Sequence, residues 1–198
     1  MRQLRQSVGG LGNILFKQAF IISQVLEGKI PDVYVQGKKF WAGHEKEIKE
    51  YLSEGVGFTD KVAIHIRRGD YLKADNFHVN LWPTGYYQKA LQLFPQETEF
   101  IIFCKDRQDE KQDSADRAWC SEAIPGLLGR GRNWSFAPEG TEVDDLNLMA
   151  SCKGLIMANS SFSWWAAFLG GKKTVVCPKT WFVDGIQRTE LLDSWIQI

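Results

Sequence analysis

Four short apolar runs with strand character are spread along the chain, and they constrain its fold more than any other feature of the sequence. Each is bounded by polar or turn residues, and together they cover residues 62–66, 100–104, 155–158 and 174–177. The stretches between them have helical spacing, as in Tyr87, Ala90, Leu91 and Phe94 or in Phe162, Trp165, Ala166 and Leu169. Strands that alternate with helices predict an α/β domain with a parallel sheet.

Polar side chains follow every one of these runs at the point where the predicted strand ends. They are Arg67, Arg68 and Asp70 after the first run, Lys105 and Asp106 after the second, Asn159, Ser160 and Ser161 after the third, and Lys179 after the fourth. In an open α/β sheet the ligand crevice lies at the carboxyl ends of the strands. The sequence therefore predicts that these polar clusters meet in one site.

The charge balance limits the kinds of partner that this chain can bind. Its 198 residues include 24 Lys and Arg and 24 Asp and Glu, which gives zero net charge, and no long run of one sign occurs. A basic stripe for nucleic acid or lipid is therefore missing from the sequence, and no nucleic-acid partner is expected. An anionic ligand would have to be held by a local site.

The sequence carries no signal for export, membrane insertion or metal binding. The segment MRQLRQSVGGLGN lacks the apolar core of a signal peptide, and no uncharged run approaches the ~20 residues that span a bilayer. We therefore expect a cytoplasmic protein with at most peripheral membrane association. The four cysteines are widely spaced, so we expect buried free thiols. His44 and His78 have no ligand partners at useful spacing, and no metal is assigned.

The first 59 residues have a different pattern. GGLGN, residues 9–13, is a glycine-rich turn that opens a helix with Leu15, Ala19, Ile22 and Leu26 on one face. This turn does not by itself define a nucleotide site, because it lacks the Rossmann glycine spacing and the P-loop lysine. A strand-like VYV follows, and a boundary near Thr59 divides the chain into residues 1–59 and 60–198.

HIRRGDY, residues 65–71, places two adjacent arginines at the end of a predicted buried strand. Desolvating Arg67 and Arg68 is costly unless an anion meets them, and their planar guanidinium groups suit a diphosphate. Gly69 allows the backbone to turn sharply or to approach a ligand closely. The alternative is a solvated loop with ordinary ion pairs to Asp70 or Asp75.

Residues 144–170 predict a helix, a strand and a second helix that opens with a pair of serines. Ser160 and Ser161 could form an anion site with the helix N–H groups, or only a plain N-cap. Asp145, sixteen residues before Ser161, could accept from the N–H groups of guanine or act as a favourable charge in the first helical turn. Because Trp164 and Trp165 are adjacent, at most one should face the core fully, although core packing is favoured for both over lining the crevice.

Six segments occur in a defined order: GGLGNILFKQAF, HIRRGDY, GYYQKAL, DLNLMASC, NSSFSWWAAFL and CPKTWF. Together they resemble the motifs of the family 11 glycosyltransferases, the α-1,2-fucosyltransferases. The part of the chain from His65 onward, about two-thirds of it, carries most of the resemblance. NSSFSWW is its most specific segment.

The resemblance implies a GT-B-like enzyme with a Rossmann-type, parallel-sheet donor domain and a much reduced amino-terminal acceptor-side lobe. It implies metal-independent transfer of L-fucose, with inversion and without a cofactor, from GDP-β-L-fucose to the 2-hydroxyl of a terminal galactose in a glycan acceptor. Arg67 and Arg68 would bind the diphosphate, with Arg67 nearest the β-phosphate. Asp145 would read the guanine, Ser161 would contact a phosphate, and His65 would support the nucleotide. The other donor-side candidates are Gly10, Asn13, Asp106, Asn159 and Ser160.

This sequence also departs from the family pattern. Ile14 and Lys17 stand where the family usually has Gln and Tyr, and its FSND-like element is present as FCKD, residues 103–106. The segment between the first motif and His65 is far shorter than in typical members, and that segment contributes the acceptor-side lobe. A homodimer could complete the acceptor site.

Transfer also needs a carboxylate that accepts or orients the proton of the galactose hydroxyl. Asp70 and Asp75 are the candidates in the loop after the arginines, and Asp70 is favoured because it lies inside the matched motif. Two alternatives stay open: a non-catalytic GDP-sugar-binding remnant, and a related transferase that uses a different acceptor or GDP-sugar.

Overall fold

The computed structural model describes residues 11–27, 41–53, 56–73, 76–104, 110–171 and 174–198, and every structural statement below concerns these residues. Within them lie six α-helices: α1 (Leu11–Glu27), α2 (Glu45–Leu52), α3 (Tyr86–Leu91), α4 (Glu110–Leu128), α5 (Glu142–Ser151) and α6 (Ser161–Leu169). The strands are β1 (Thr59–His65), β2 (Phe100–Phe103), β3 (Trp134–Phe136), β4 (Cys152–Ile156), β5 (Thr174–Cys177) and β6 (Ile196–Gln197). Two short 3-10 helices, Gly69–Leu72 and Trp82–Thr84, follow β1.

The strands form one sheet in the order β3-β2-β1-β4-β5-β6, and every neighbouring pair is parallel. This is the strand order of the Rossmann fold, in which the chain builds outward in one direction and then returns to the centre to build outward in the other. The order reverses between β1 and β4. Ligands bind outside the carboxyl ends of the strands at such a reversal, so the fold favours a ligand beside the loops that follow His65 and Ile156.

The α/β class, the parallel sheet and the four predicted strands are confirmed, with strand ends shifted by up to three residues. The sequence pattern does not predict β3 and β6, because strands of three and two residues are too short to show a periodic pattern. It also does not predict α2 and α4, whose sequences are rich in charged residues. Both helices are held by tertiary packing of a few apolar side chains.

The central strands are buried on both faces. Successive side chains in a strand point to opposite sides of the sheet. In β1, Ala63 joins the hydrophobic cluster that contains α1, α2, α5 and α6, whereas Val62 and Ile64 join the cluster that contains α3 and α4. In β4, Leu155 and Ile156 divide between the two clusters in the same way. Strands covered on both faces are continuous apolar runs rather than alternating ones.

Both tryptophans of α6 are buried, with 0% of Trp164 and 1% of Trp165 exposed. The expectation that at most one would face the core fully is therefore wrong, while the preference for core packing is confirmed. The reason is that α6 contacts α1, α2 and α5 and shares a hydrophobic cluster with the sheet, so it is covered on several sides. Phe16 of α1 packs against both indoles, with ring centroids 4.7 and 5.0 Å away.

Helices α1 and α2 share the core of the sheet. Leu15 and Ala19 of α1 are buried, as predicted, and lie in one hydrophobic cluster with Ile48 of α2 and with α6. The side chains of the other residues of that predicted face, Ile22 and Leu26, lie outside the described residues, as does the VYV segment. The domain boundary near Thr59 stays a prediction.

The cysteines and the helices bear on two further expectations. Cys104, Cys120, Cys152 and Cys177 are all buried and free, as expected. Among the described helices, none combines the length and the apolar character needed for a membrane span. The cytoplasmic location stays a prediction.

Candidate functional site at the carboxyl edge of the sheet

The loop after β1 turns sharply at Gly69, which has φ +37° and opens the first 3-10 helix. Just before it, the N–H of Ile66 donates to the carbonyl of Phe103 on β2, so the loop leaves the sheet next to β2. Gly69 thus makes the sharp turn, which is one of the two roles that the sequence allows for it. The two arginines before Gly69 lie at the end of β1, and their side chains contact different neighbours.

Arg67 is ion-paired with Asp70, with Nη2 2.6 Å from Oδ1. Its guanidinium carbon also lies 5.4 Å from the ring centre of Tyr71. The side chains of Arg67 and Asp70 are 25% and 62% exposed, so solvent reaches both partners. A pair this exposed stabilises a protein by only about 0–1 kcal/mol. A diphosphate, which carries more charge than one carboxylate, can therefore replace Asp70 as the partner of Arg67.

Arg68 contacts α4 instead. Its Nε lies 3.3 Å from Oδ1 of Asp116, and its guanidinium carbon lies 3.7 Å from the ring centre of Trp119. Asp116 is 2% exposed and also accepts hydrogen bonds from the Gln112 side chain at 2.9 Å and from the Gly69 N–H at 2.8 Å. A buried carboxylate with three donors is well satisfied. Asp116 thus fixes the loop, and the contact of Arg68 with a diphosphate stays a prediction.

The sequence pattern does not single out Asp116 or Trp119, because it does not predict α4. It nevertheless contains a signal. Cys120, Ile124 and Leu128 recur at four-residue intervals and are all buried, and Asp116 continues that row one step earlier. A carboxylate on a buried helix face requires a cation or N–H groups as partners, and the adjacent arginines of HIRRGDY could have been proposed as the source.

Asn159 ties together the loops that follow β1, β4 and β5. Its side-chain amide donates to the backbone carbonyls of Val79 and Trp181, both at 2.9 Å. The backbone carbonyl of Asn159 accepts a hydrogen bond from the Tyr71 hydroxyl at 3.0 Å. Asn159 is 2% exposed, and both amide contacts are structural. Its predicted role in donor binding stays a prediction.

The amino terminus of α6 lies against the amino terminus of α1. Ser160 is the N-cap of α6, as predicted, and its hydroxyl accepts from the Phe162 N–H at 3.3 Å. A Cβ added at Gly12 would lie 2.5 Å from Oγ of Ser161 and 2.6 Å from the Phe162 nitrogen, so only glycine fits there. Helix amino termini carry partial positive charge. Two of them in contact create an environment that favours an anion.

His65 is a buried, neutral imidazole beside this helix start. It is 5% exposed, its ring lies 5.9 Å from that of Phe162, and its Nδ1 has no hydrogen-bond partner within the described residues. Burial, and secondarily the positive charge of Arg67, lower the pKa of His65 to about 3. Its carbonyl accepts from the Tyr87 hydroxyl at 3.0 Å. His65 is therefore buried and uncharged at neutral pH.

Asp145 is buried in the first turn of α5, where the sequence predicts it. The N-cap role there belongs to Thr141 and Asp144, which form a reciprocal capping box with hydrogen bonds of 2.7 and 3.2 Å. Because α5 ends at Ser151 and β4 begins at Cys152, at the amino edge of the sheet, the start of α5 points toward the carboxyl edge. Asp145 therefore belongs to the same edge as Arg67 and Ser161.

Some predicted site residues lie outside the described residues. They are Gly10, Asp75 and Asp106, together with the side chain of Asn13. Within the described residues, no group of three or more His, Cys, Asp or Glu side chains is placed to hold a metal ion. The roles of these residues and the metal-independent reaction stay predictions.

Comparison with known proteins places the chain in a family. The sequence profile described as "Glycosyl transferase family 11" matches residues 44–198, which include β1 to β6 and the loops just described. The chain belongs to glycosyltransferase family 11. The α/β fold with a Rossmann-type parallel sheet is that of the donor domain of a GT-B glycosyltransferase, as predicted. Gly12 and α1 precede the residues that the family 11 profile matches.

Several named glycosyltransferases are similar in sequence to this chain. The chain is 31% identical over 162 residues to the O-antigen biosynthesis glycosyltransferase WbnK of Escherichia coli, covering 76% of this chain and 47% of that protein. It is 27% identical over 186 residues to an alpha-1,2-colitosyltransferase of Escherichia coli, covering 82% of this chain and 60% of that protein. It is 32% identical over 121 residues to the galactoside alpha-(1,2)-fucosyltransferase 2 of Rattus norvegicus, covering 58% and 31%. The matched segment therefore spans between about a third and three-fifths of the length of these three relatives. No solved structure matches.

Proposed function

We propose that this family 11 protein transfers L-fucose from GDP-β-L-fucose, with inversion, to the 2-hydroxyl of a terminal galactose. One observation carries the proposal. An arginine that can exchange its partner lies at the same edge of the sheet as two adjacent helix amino termini, those of α1 and α6. Arg67 pairs with the solvent-exposed carboxylate of Asp70, and Gly12 brings the start of α1 against Ser161 at the start of α6. Both features favour a diphosphate. Relatives named as α-1,2-fucosyltransferases and an α-1,2-colitosyltransferase support the sugar class and the position of transfer.

In the proposed reaction, the bond between C1 of fucose and the β-phosphate oxygen breaks while the galactose 2-oxygen bonds to C1 from the opposite face. Negative charge grows on the departing GDP as the sugar passes through an oxocarbenium-like state. Arg67, released from Asp70, stabilises this charge together with the helix N–H groups. The proposed reaction uses no metal and no other cofactor.

Asp70 is the proposed base. When Arg67 turns to the diphosphate, the Asp70 carboxylate loses its ion-pair partner and is able to accept the proton of the galactose hydroxyl. Its side chain is 62% exposed, so an acceptor can reach it. General-base catalysis requires hydrogen-bond distance between carboxylate and hydroxyl. Asp75, predicted as the alternative base, lies outside the described residues.

The nucleotide is proposed to lie between the β1 and β4 loops and the start of α5. Asp145 would accept from the ring N–H and amino group of guanine, because a carboxylate offers two acceptor oxygens to those two donors. His65 would support the nucleotide side of the site through its packing against Phe162 at the start of α6, since its own Nδ1 is buried. Ser161 would add its hydroxyl to the phosphate contacts.

Two measurements test the proposal. Calorimetry should show that GDP binds and that ADP binds more weakly, and incubation with GDP-fucose and lactose should give a product heavier than lactose by one fucosyl group, detected by mass spectrometry. Nucleotide-activated colitose, offered in parallel, decides between the two sugars in the names of the relatives. Binding of GDP-fucose without transfer to any galactoside would instead make this a donor-binding protein. The absence of GDP binding would refute the proposal altogether.

The oligomeric state bears on the acceptor side. A homodimer that completes the acceptor site stays a prediction. Light scattering during turnover measures it directly.

A further inference from the structure

A row of rings extends away from Arg67 along the carboxyl edge. Tyr71 lies 5.4 Å from the Arg67 guanidinium and stacks on His78, with ring centroids 3.8 Å apart and an interplanar angle of 6°. His78 contacts Phe77 at 4.8 Å and Phe182 at 5.5 Å. Phe77 and Phe182 contact each other at 5.1 Å. We call Tyr71, His78, Phe77 and Phe182 the aromatic row.

The aromatic row is braced from below. His78 and Phe182 form an antiparallel bridge, and the Val183 N–H donates to the Phe77 carbonyl at 3.0 Å. The Asn159 side chain ties the same two loops together underneath. Rings held on two cross-linked loops lose little conformational freedom when a ligand binds. The aromatic row is therefore preorganised.

One end of the aromatic row is exposed and apolar. Phe77 is 45% exposed, and beside it Val183 and Ile186 are 55% and 59% exposed. The Arg188 guanidinium lies 4.8 Å from the Phe182 ring and 5.4 Å from the Phe77 ring, and it forms two hydrogen bonds with the Asp184 carboxylate, at 3.0 and 2.6 Å. This end thus combines a ring face with a paired cation and anion. Its local charge is zero.

We propose that the aromatic row binds the acceptor glycan by stacking a sugar ring against Phe77. A sugar ring has an apolar C–H face and a rim of hydroxyl groups, which match an aromatic face bordered by a guanidinium and a carboxylate. The inference rests on the proposed function for its direction. The row begins beside Arg67, the proposed diphosphate ligand, and the acceptor must lie next to the fucose that this diphosphate carries.

The exposed surface is too small for a stable protein partner. Phe77, Val183 and Ile186 are its exposed apolar side chains, whereas a stable protein interface uses about 20–30 residues from each side. The paired charges of Asp184 and Arg188 likewise offer nothing to a strongly charged partner. A neutral ligand of one or two sugar rings matches this surface in both size and charge.

The test compares variants at Phe77 with a matched exposed phenylalanine. Phe58 is 76% exposed and precedes β1, at the opposite edge of the sheet. Phe77→Leu keeps an apolar side chain but removes the ring, so it should raise the KM for lactose by about two- to tenfold, the range expected for loss of an aromatic contact. Phe77→Tyr keeps the ring and should retain the original KM. The KM for GDP-fucose and the affinity for GDP should be unchanged in both variants. The control Phe58→Leu should leave the KM for lactose unchanged as well.

A second readout separates this inference from the proposed function. Lactose titrated into the GDP-bound protein should shift the aromatic NMR signals of Phe77 but not those of Phe58. If transfer occurs and Phe77→Leu leaves the lactose KM unaltered, the inference is wrong and the function stands. If no transfer occurs but lactose shifts Phe77, the aromatic row binds glycan and the proposed reaction is wrong. If lactose and a panel of larger galactosides neither accept fucose nor shift the Phe77 signals, the inference and the proposed function are both overturned.

Discussion

The two edges of the parallel sheet carry charged residues of the same kinds, yet they differ in what holds those residues. At the amino edge, a groove of about 690 Å³ is lined by the starts of β1, β4 and β5. Its charged groups pair loosely, Lys61 with Glu99 at 3.4 Å and Lys153 with Asp60 at 3.9 Å, and all four side chains are at least 42% exposed. Such pairs are largely screened by solvent. The groove is large, but these four charged groups already pair with one another.

At the carboxyl edge several polar groups are buried and fixed, although the Arg67–Asp70 pair there is exposed. Asp116 and Asn159 are each 2% exposed and hold loop backbone through their side chains, while the imidazole of His65 is 5% exposed. In a Rossmann sheet the connecting helices run antiparallel to the strands, so helix amino termini also gather at this edge. Preorganised polar groups, rather than the volume of a groove, therefore distinguish the carboxyl edge, where we propose the donor site.

The largest expected effect comes from removing the exchangeable cation. Arg67→Ala should reduce transfer by about 10²–10³-fold or more, because it removes a group that stabilises charge in the transition state. Its stability in urea should change little, since the pair with Asp70 is exposed. Single-turnover transfer and urea unfolding measure both effects. Lys153→Ala, which removes a cation from the amino edge, is the control, and equal turnover in the two variants would erase the distinction between the edges.

The second effect is on stability. Asp116→Ala should lower the free energy of unfolding by roughly 2–4 kcal/mol, near the cost of breaking a buried pair, because it leaves Arg68 and the Gly69 N–H without their acceptor. Glu99→Ala, which breaks the Lys61 pair at the amino edge, should stay within about 0.5 kcal/mol of the unaltered protein. Urea denaturation of the two variants gives the comparison. Similar losses in both would mean that Asp116 does not fix the loop.

A third prediction uses two glycines, one at each edge. A Cβ at Gly12 would lie 2.6 Å from the Phe162 nitrogen, and one at Gly154 would lie 2.8 Å from a ring carbon of Phe94. Gly12→Ala and Gly154→Ala should each lower stability by about 1–3 kcal/mol through overpacking. Only Gly12→Ala should also weaken GDP binding, because it separates the paired helix amino termini. Calorimetry on folded protein decides this, and equal GDP affinities in the two variants would count against a phosphate site between α1 and α6.

The smallest predicted effect concerns the recognition of guanine. Asp145→Ala should weaken GDP binding by about tenfold or somewhat more, the value of a hydrogen-bonded charged group, while turnover at saturating donor changes less. The preference for GDP over ADP should shrink by a similar factor. Calorimetric titration with both nucleotides measures the change. An unaltered preference would remove guanine recognition from Asp145 and leave it a structural charge in the first turn of α5.

The sequence predicts the centre of the fold better than its flanks. The four central strands show as apolar runs because they are buried on both faces, and Asp145 and Ser160 occupy the helix starts where they are predicted. The sequence pattern does not predict helix α4, because its row of buried residues is narrow and its remaining faces are charged. Because α4 is not predicted, Asp116 and Trp119, the residues that contact Arg68, are not predicted as site residues either. The tryptophan pair of α6 is misjudged for a related reason, since helices that cover several of its sides are far away in the sequence.

The sequence by itself determined the α/β class, the polar ends of the strands and the resemblance that led to family 11, because each is written in residues that are neighbours along the chain. Only the tertiary structure decided what each arginine does. Arg67 and Arg68 are adjacent and chemically identical, yet one pairs with an exposed carboxylate three residues away and the other with a buried carboxylate 48 residues away. Local sequence cannot distinguish them, because the partner that fixes Arg68 is brought to it only when α4 packs on the sheet.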